Sequence, residues 1–256
     1  MKKQDYVSSS QIAKFMSCPI AFKYHYEDGI KQDTNIYMEY GSAIHHALAY
    51  NNMQKVKTKK DENVDILYKK FCEYLKKECK KRYGWLNSDI YNDMLIMGEI
   101  ILEKYLKEIA PNYQPLYVEQ KYEIKLKHFP ITILGYIDVI MDNGEVWDYK
   151  TVGKTTKKNW VQKEVDKSFQ LTFYSSIYRK KYQKIEKGLS IVTLPREAKP
   201  VITKVDTTRT QDDILYILEF ASLMDEVCKK GVYVPNLKNC SQCFYNKMCK
   251  KQIIIK

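Results

Sequence analysis

The residues with the clearest chemical potential lie in the stretch EVWDYKTVGKTT, residues 145–156. Asp148 and Lys150 are two residues apart in it. If the stretch is a β-strand, their side chains point to the same face of the sheet. A carboxylate and an ammonium at one point can orient a water molecule, or they can form a structural ion pair. For the Asp-x-Lys triplet alone, the ion pair is the favoured interpretation.

The second half of the stretch, Gly153-Lys154-Thr155, is similar to the end of a phosphate-binding loop. Such a loop needs a glycine five residues before its second glycine, so that bare backbone N–H groups surround the phosphates. Asp148 occupies that position, and no other stretch has the full pattern. We therefore interpret residues 153–156 as a polar loop, which removes the main support for a nucleotide-driven motor.

A second acidic residue precedes this stretch. Residues 131–141 are nearly all apolar, as in a central buried strand, and the Asp-Asn-Gly sequence at 142–144 predicts a hairpin turn. Asp138 lies within the apolar run, where a carboxylate is costly to bury unless a charged group meets it. We expect Asp138, Asp148 and Lys150 to converge, since two carboxylates and an ammonium can hold a divalent cation and orient a water molecule.

Polar residues on two predicted helices could complete such a site. Gln170 and Tyr174 are four residues apart and therefore share one face of a helix predicted over 166–183. Their amide and phenol can contact a nucleic acid strand, or they can pack between sheet and helix. His45 stands next to His46 on an upstream helix. Consecutive helical residues point about 100° apart, so we do not expect both to bind one metal.

The order and spacing of these elements resemble the PD-(D/E)XK nucleases, and specifically their RecB-like branch. The segments GYID (135–138) and DYK (148–150) are similar to the core of that family. The segment GSAIH (41–45) resembles the element that carries a metal-binding histidine, and QLTFY (170–174) resembles a Gln-x-x-x-Tyr element that contacts the substrate. The resemblance extends over about residues 8–249. It implies an α/β fold with a restriction-endonuclease-like core, in which helices flank a central mixed β-sheet.

The activity that this resemblance implies is metal-dependent hydrolysis of phosphodiester bonds. His45, Asp138, Asp148 and the backbone carbonyl of Tyr149 would hold one or two Mg²⁺ or Mn²⁺ ions. Lys150 would orient the attacking water and offset negative charge that develops on the phosphate. Gln170 and Tyr174 would bind the substrate.

Three of the seven cysteines form the pattern C-x₂-C-x₅-C at Cys240, Cys243 and Cys249. Three thiols within ten residues indicate a metal site rather than inert packing, although no fourth ligand lies nearby. The pattern is similar to the iron–sulfur members of the RecB-like nucleases, the AddB-type domains and the CRISPR-associated RecB-like exonucleases. That similarity implies Cys18 as the fourth ligand of a [4Fe–4S] cluster. A four-cysteine zinc site is the alternative. The other cysteines are interpreted as packing residues: Cys72, Cys79 and Cys228.

Composition sets broader limits. A chain of 256 residues predicts one domain, here a single nuclease domain over 1–256 with a helical insertion at 39–112 and a cysteine segment at 238–250. The net charge of +12 favours polyanion partners such as nucleic acid, although a lysine-rich genome would give the same surplus. There is no apolar run of about 18 residues and no apolar segment at the N-terminus, so we expect a cytoplasmic protein that does not span a membrane.

The hydrophobic periodicity predicts the remaining elements. A helix is expected to begin after the serines at 8–10, and further helices are predicted at 39–51, 61–80, 89–109, 166–183 and 210–230. Strands are predicted at 116–127, 131–141, 145–149, 189–194 and 201–205.

The resulting hypothesis is a DNA exonuclease that acts on single strands or DNA ends and is stabilised by an iron–sulfur cluster. The alternative is a catalytically silent DNA-binding or assembly subunit of a CRISPR-adaptation or recombination complex. A zinc-stabilised nuclease of unrelated biology is a third possibility. The sequence leaves open the cleavage polarity, the preference for DNA or RNA, and the oligomeric state.

Overall fold

The computed structural model describes residues 6–32, 35–83, 89–125, 129, 131–155 and 158–254. Its α-helices are α1 (Ser9–Ser17), α2 (Pro19–Phe22), α3 (Ile36–Thr58), α4 (Val64–Tyr83), α5 (Asp89–Glu108), α6 (Lys158–Asp166), α7 (Phe169–Tyr182), α8 (Gln211–Lys229) and α9 (Asn246–Ile254). Its strands are β1 (Pro115–Lys125), β2 (Thr132–Met141), β3 (Glu145–Val152), β4 (Gly188–Pro195) and β5 (Thr203–Thr207). A π-helical turn covers Lys23–Glu27, and 3₁₀ turns cover Ala110–Asn112 and Leu237–Gln242. Within these ranges, no helix has the length and apolarity needed to cross a bilayer.

The five strands form one mixed sheet in the order β1-β2-β3-β4-β5. Neighbouring strands are antiparallel except for β3 and β4, which are parallel. A parallel pair needs a long crossover connection, and α6 and α7 provide it here. The predicted fold class, an α/β fold with a central mixed sheet flanked by helices, is confirmed.

Hydrophobic clusters cover both faces of the sheet and hold β3 between two helices. Val146 of β3 belongs to the cluster that contains Ile177 of α7, together with residues of α1 and α8. The next residue, Trp147, belongs to the opposite cluster, which contains Leu48 of α3 and residues of α4 and α5. Side chains from α3 and α7 can therefore approach β3 from opposite sides. The helices of 39–112 pack on one face of the sheet, and their description as an insertion stays a prediction.

The helix predicted at 39–51 is longer in the structure. It begins at Ile36, where the side chain of Asn35 accepts a hydrogen bond from the backbone N–H of Met38. Gly41 therefore lies inside α3, although a glycine in a helical pattern can mark a boundary. Packing explains its presence, because a Cβ at Gly41 would lie 2.7 Å from Oγ1 of Thr151 in β3. The glycine lets α3 approach the end of β3 closely.

Other differences lie in the second half of the chain. The sequence analysis does not predict α6, whose Val161 and Val165 pack in the cluster on the α7 side. Strand β5 begins at Thr203, two residues later than predicted, and this residue pairs with Thr193 of β4. Lys154 lies in an exposed loop, as expected. Residues 126–127 of the predicted first strand and residue 156 of the loop lie outside the described residues.

Candidate active site

Strand β3 carries Asp148 and Lys150 on the side of the sheet that faces α7. Asp148 is 1% exposed, and its Oδ2 lies 2.9 Å from Nζ of Lys150. The Lys150 side chain is 43% exposed, so it extends from the buried carboxylate towards solvent. Tyr149 points to the opposite face, where its hydroxyl is hydrogen-bonded to Tyr105 at 2.8 Å and to Asn52 at 3.1 Å. The expected alternation along this strand is present.

Two residues of α7 bind the Asp148–Lys150 pair. Gln170 Oε1 accepts a hydrogen bond from Lys150 Nζ, and Gln170 Nε2 donates to Asp148 Oδ1, both at 2.7 Å. Tyr174 is 2% exposed, and its hydroxyl donates to the same Oδ1 at 3.3 Å. Burial, followed by the nearby Asp148 charge, raises the pKa of Tyr174, so this phenol stays protonated and able to donate. Both residues restrain the carboxylate from the core side.

Strand β2 supplies the second carboxylate, that of Asp138. Regular pairing of β2 with β3 ends one residue away, at Val139 and Trp147. Beyond that point the backbone N–H of Tyr149 donates to Oδ2 of Asp138 at 2.9 Å, which connects the two strands through a side chain. Burial, and then the charge of Asp148, raises the pKa of Asp138 well above its ordinary value. Burial disfavours the ionised carboxylate, and neighbouring carboxylates also repel each other when both are ionised.

Helix α3 brings His45 to the same place. Its Nδ1 lies 3.4 Å from Oδ2 of Asp138. Burial is the main cause that lowers the pKa of His45, which favours the neutral ring, while a hydrogen bond with the Tyr149 backbone acts in the opposite direction. This hydrogen bond places the Tyr149 backbone next to the His45 ring. His46 points elsewhere and packs on Tyr74, with ring centroids 5.0 Å apart.

Glu119 of β1 belongs to this group as well, and the sequence analysis does not identify it. Ligand atoms of His45, Glu119 and Asp138 all lie within 4.8 Å of one another, and this is the one such set of three among the residues that the structure describes. Burial, and then the charge of Asp148, raises the pKa of Glu119. Its φ of 48° lies in the left-handed region. Such backbone strain is concentrated at functional sites.

Strand register explains why Glu119 escapes a sequence analysis. Val118 pairs with Val139, and Gln120 pairs with Ile137, so Glu119 and Asp138 lie opposite each other between these pairs. The connection between β1 and β2 carries no turn signal that fixes the register. The acid could have been found only by treating every acidic residue of the predicted first strand as a possible ligand.

The donor groups of the site suit a hard divalent cation. They comprise one imidazole nitrogen and several carboxylate oxygens, which Mg²⁺ and Mn²⁺ accept as ligands. Oδ2 of Asp148 is buried without a hydrogen bond, and only the ion pair with Lys150 meets its charge among the described contacts. A divalent cation would offset the repulsion between these buried carboxylates. The residues therefore fit a divalent metal ion, with Asp148 beside the set of His45, Glu119 and Asp138 rather than inside it.

Residues 6–250 match the sequence model of the PD-(D/E)XK nuclease superfamily. The chain belongs to this superfamily. PD-(D/E)XK nucleases use divalent metal ions, and membership implies a DNA substrate. No curated protein matches the chain by sequence.

Two solved structures were compared with the fold of this chain. The structure titled "Putative exonuclease" from Eubacterium rectale is 12% identical and aligns with a TM-score of 0.62, covering 95% of this chain and 88% of the other. At this identity the match shows a common fold. The structure of SSO0001 is 16% identical over 97% of this chain and 87% of the other, but its TM-score of 0.43 is too low to support an inference.

This PD-(D/E)XK chain also gathers four cysteines from the two ends of its sequence. Cys18 lies between α1 and α2, Cys240 lies in the 3₁₀ turn, Cys243 follows that turn, and Cys249 lies in α9. Burial, and then the neighbouring Cys18, Cys240 and Cys243, raises the pKa of Cys249. The backbone N–H of Asn236 donates to Sγ of Cys18 at 3.3 Å. The structure therefore brings the four predicted ligands together.

The other three cysteines take no part in this group. Cys72 and Cys79 pack with the cluster on the α3 side of the sheet, and Cys228 packs against the cluster on the α7 side. Burial is the main cause that raises the pKa of all three thiols, so they remain protonated. Their positions agree with the predicted packing role.

Proposed function

We propose that this PD-(D/E)XK protein is a metal-dependent DNA exonuclease that hydrolyses phosphodiester bonds in single strands or at DNA ends. The observation that carries the proposal is the buried pair Asp138 and Asp148, in which the Tyr149 N–H holds Asp138, and which His45 and Lys150 flank. Two like charges that are confined in the protein interior destabilise the folded state, so a contribution to stability does not explain this arrangement. The description of a structural neighbour as an exonuclease and the net charge of +12 add support.

Each residue of the site has a role in this proposal. His45, Asp138, Asp148 and the Tyr149 carbonyl would hold Mg²⁺ or Mn²⁺, and we add Glu119 as a further ligand. When bound, the ion supplies Lewis-acid stabilisation of the phosphate and lowers the pKa of an attacking water. The partly exposed ammonium of Lys150 orients that water through a hydrogen bond and offsets negative charge on the phosphate oxygens.

Gln170 and Tyr174 act on the nucleic acid indirectly in this proposal. Tyr174 is 2% exposed, so its burial argues against the direct substrate contact that the resemblance implies. Gln170 holds the Asp148 carboxylate and the Lys150 ammonium in a fixed relation, at 2.7 Å from each. We assign both residues to positioning, because precise placement of reacting groups contributes strongly to rate.

Paired variants test the hydrolysis. Asp148→Asn and Lys150→Ala are expected to lower the cleavage rate of an end-labelled single strand in Mn²⁺ by roughly a hundredfold or more. Asp142→Asn and Lys154→Ala change the same residue types at exposed positions of neighbouring loops and are expected to retain activity. Rapid digestion by both site variants would refute the proposal. Binding of DNA by the wild type without any cleavage would favour the silent subunit instead.

We also propose that the four gathered cysteines hold a structural [4Fe–4S] cluster. The support for this proposal is that Cys18 of the N-terminal region packs with Cys243 and Cys249 of the C-terminal segment. Iron and sulfide analysis of anaerobically purified protein tests this assignment, and stoichiometric zinc without iron would overturn it. The cytoplasmic location and the protein partners in recombination or CRISPR adaptation stay predictions.

A further inference from the structure

An open groove of about 780 Å³ runs along α3 to the candidate active site. Its α3 wall is formed by Met38, Ser42, His45, Ala49 and Met53. These residues recur at intervals of three or four and therefore share one helix face. The two carboxylates nearest to His45 line the same groove. One face of α3 thus carries a candidate metal ligand and also borders a path that leads to it.

Tyr37 lines the N-terminal end of this groove and is 48% exposed. The guanidinium carbon of Arg196 lies 3.8 Å from the centre of its ring, a cation–π stack that fixes the ring plane. The backbone N–H of Arg196 donates to the carbonyl of Val152 at 2.8 Å, so the stack is anchored at the end of β3. Tyr37 and His45 are eight residues apart on one helix, which corresponds to about 12 Å along its axis.

The groove presents apolar side chains and has a positive charge at each end. Met38 and Met53 are both exposed there. The Arg196 guanidinium stacks on Tyr37 at one end, and the partly exposed Lys150 ammonium belongs to the candidate active site at the other. Exposed aromatic and apolar side chains beside positive charges are what single-stranded nucleic acid binds, because its unpaired bases can stack while its phosphates meet cations. A duplex hides those base faces.

We propose that Tyr37, with Arg196 stacked on it, binds an unpaired nucleobase of the substrate strand. The distance of about 12 Å to His45 corresponds to about three or four nucleotides at a stacked spacing of ~3.4 Å, counted from the phosphodiester at the active site. This inference rests on the proposed nuclease function. It makes Tyr37 a specificity-determining residue that favours single strands over duplexes.

Binding measurements test the stacking role without turnover. Fluorescence anisotropy in EDTA gives the Kd of a labelled single strand and of its duplex for each variant. Tyr37→Ala is expected to weaken single-strand binding roughly 5- to 150-fold, as loss of one base–aromatic stack does, while Tyr37→Phe retains it. Tyr216→Ala, at a tyrosine that is 66% exposed on α8, is the matched control and should bind as the wild type does. An unchanged Kd for Tyr37→Ala would overturn the inference.

An abasic scan locates the stacked base and uses the wild-type chain, so it remains readable even if the alanine variant misfolds. One abasic position is moved along the strand, and a loss of affinity is expected at one position, about three or four nucleotides from the cleaved bond. In Tyr37→Ala the same abasic position should cause no further loss. Equal Kd values at every position would overturn the inference. Tyr37-dependent binding without hydrolysis in Mn²⁺ would refute only the proposed activity, and hydrolysis with Tyr37-independent binding would refute only the stack.

Discussion

Replacing Gln170 by leucine tests whether catalysis depends on the hydrogen bonds that restrain Asp148. The amide orientation is determined by its partners, because the Lys150 ammonium can only donate and the Asp148 carboxylate can only accept. Leucine fills a similar volume but has no polar atom, so the 2.7 Å hydrogen bonds with Lys150 and Asp148 are lost, together with the one to the Tyr174 hydroxyl. Asp148 Oδ1 then keeps only the longer contact from Tyr174, at 3.3 Å, among the hydrogen bonds of the described residues.

The lost bonds to the two charged groups differ in their cost. A hydrogen bond to a charged group contributes about 1.5–3 kcal/mol. The Lys150 side chain is 43% exposed and can replace its lost acceptor by water, so its bond contributes little to the difference. Asp148 is buried and cannot do so. Counting that bond alone gives a loss of about 1.5–3 kcal/mol in transition-state stabilisation, or roughly 10- to 150-fold in kcat.

Steady-state kinetics on an end-labelled single strand in Mn²⁺ separate the two possible roles of Gln170. If Gln170 positions Asp148 and Lys150, kcat falls while KM changes little, whereas a direct strand contact would raise KM alone. Gln170→Glu would place another carboxylate against Asp148 and should lose at least as much activity. Gln162→Leu, which removes a 2.9 Å hydrogen bond to Asp166 on α6, is the control. A kcat for Gln170→Leu within about twofold of the wild type would refute the positioning role.

Four further predictions concern the scaffold. Gly41→Ala puts a Cβ 2.7 Å from Thr151 Oγ1, so α3 or the Thr151 side chain must shift, and calorimetry should show a stability loss of about 1–3 kcal/mol together with weaker Mn²⁺ binding. Cys18→Ser should abolish iron binding and lower the Tm, and iron retained at the wild-type level would contradict the assignment. Thr210→Ala removes the N-cap of α8 and should cost about 0.5–2 kcal/mol in urea unfolding. Hydrogen bonds from the Thr210 backbone and side chain lower the pKa of Asp213. The stability that Asp213 adds is therefore present above its ordinary pKa and is lost as the pH falls through the lower pKa of the folded state. The difference in unfolding free energy between the wild type and Asp213→Asn should shrink on acidification.

Features that depend on local spacing could be predicted from the sequence. Asp148 and Lys150 share a face because strand side chains alternate, and Gln170 meets Tyr174 at 2.7 Å because helical residues four apart are neighbours. The turn at 142–144 predicted the β2–β3 hairpin that brings Asp138 towards Asp148. These elements needed no knowledge of the tertiary structure. The pairing of Cys18 with the C-terminal cysteines came only from resemblance, since about 220 residues separate them.

Features that depend on long-range packing could not be predicted in the same way. Glu119 reaches the site through the β1–β2 register and a left-handed backbone, and neither leaves a local pattern in the sequence. Gly41 resembles a helix boundary in sequence, and only the approach of Thr151 shows why it lies within α3. The four-residue spacing between Gln170 and Tyr174 is the same whether Tyr174 faces nucleic acid or the core. Its burial beneath Asp148 is a property of the packed sheet and helix.

The position of the site within the sheet follows from where strand pairing stops. Between β2 and β3 the regular ladder ends at Val139 and Trp147, which leaves backbone groups of the next residues without their usual partners. A buried N–H must still find an acceptor, and that of Tyr149 uses the Asp138 carboxylate. Where the two strands diverge, the Tyr149 N–H therefore gains an acceptor, and the same hydrogen bond orients the Asp138 carboxylate. In a regular ladder this side chain would have been left free to rotate. Because β3 is held from both sides by α3 and α7, the cost of confining Asp138 beside Asp148 is met by packing elsewhere, and the carboxylates remain in place to receive a cation.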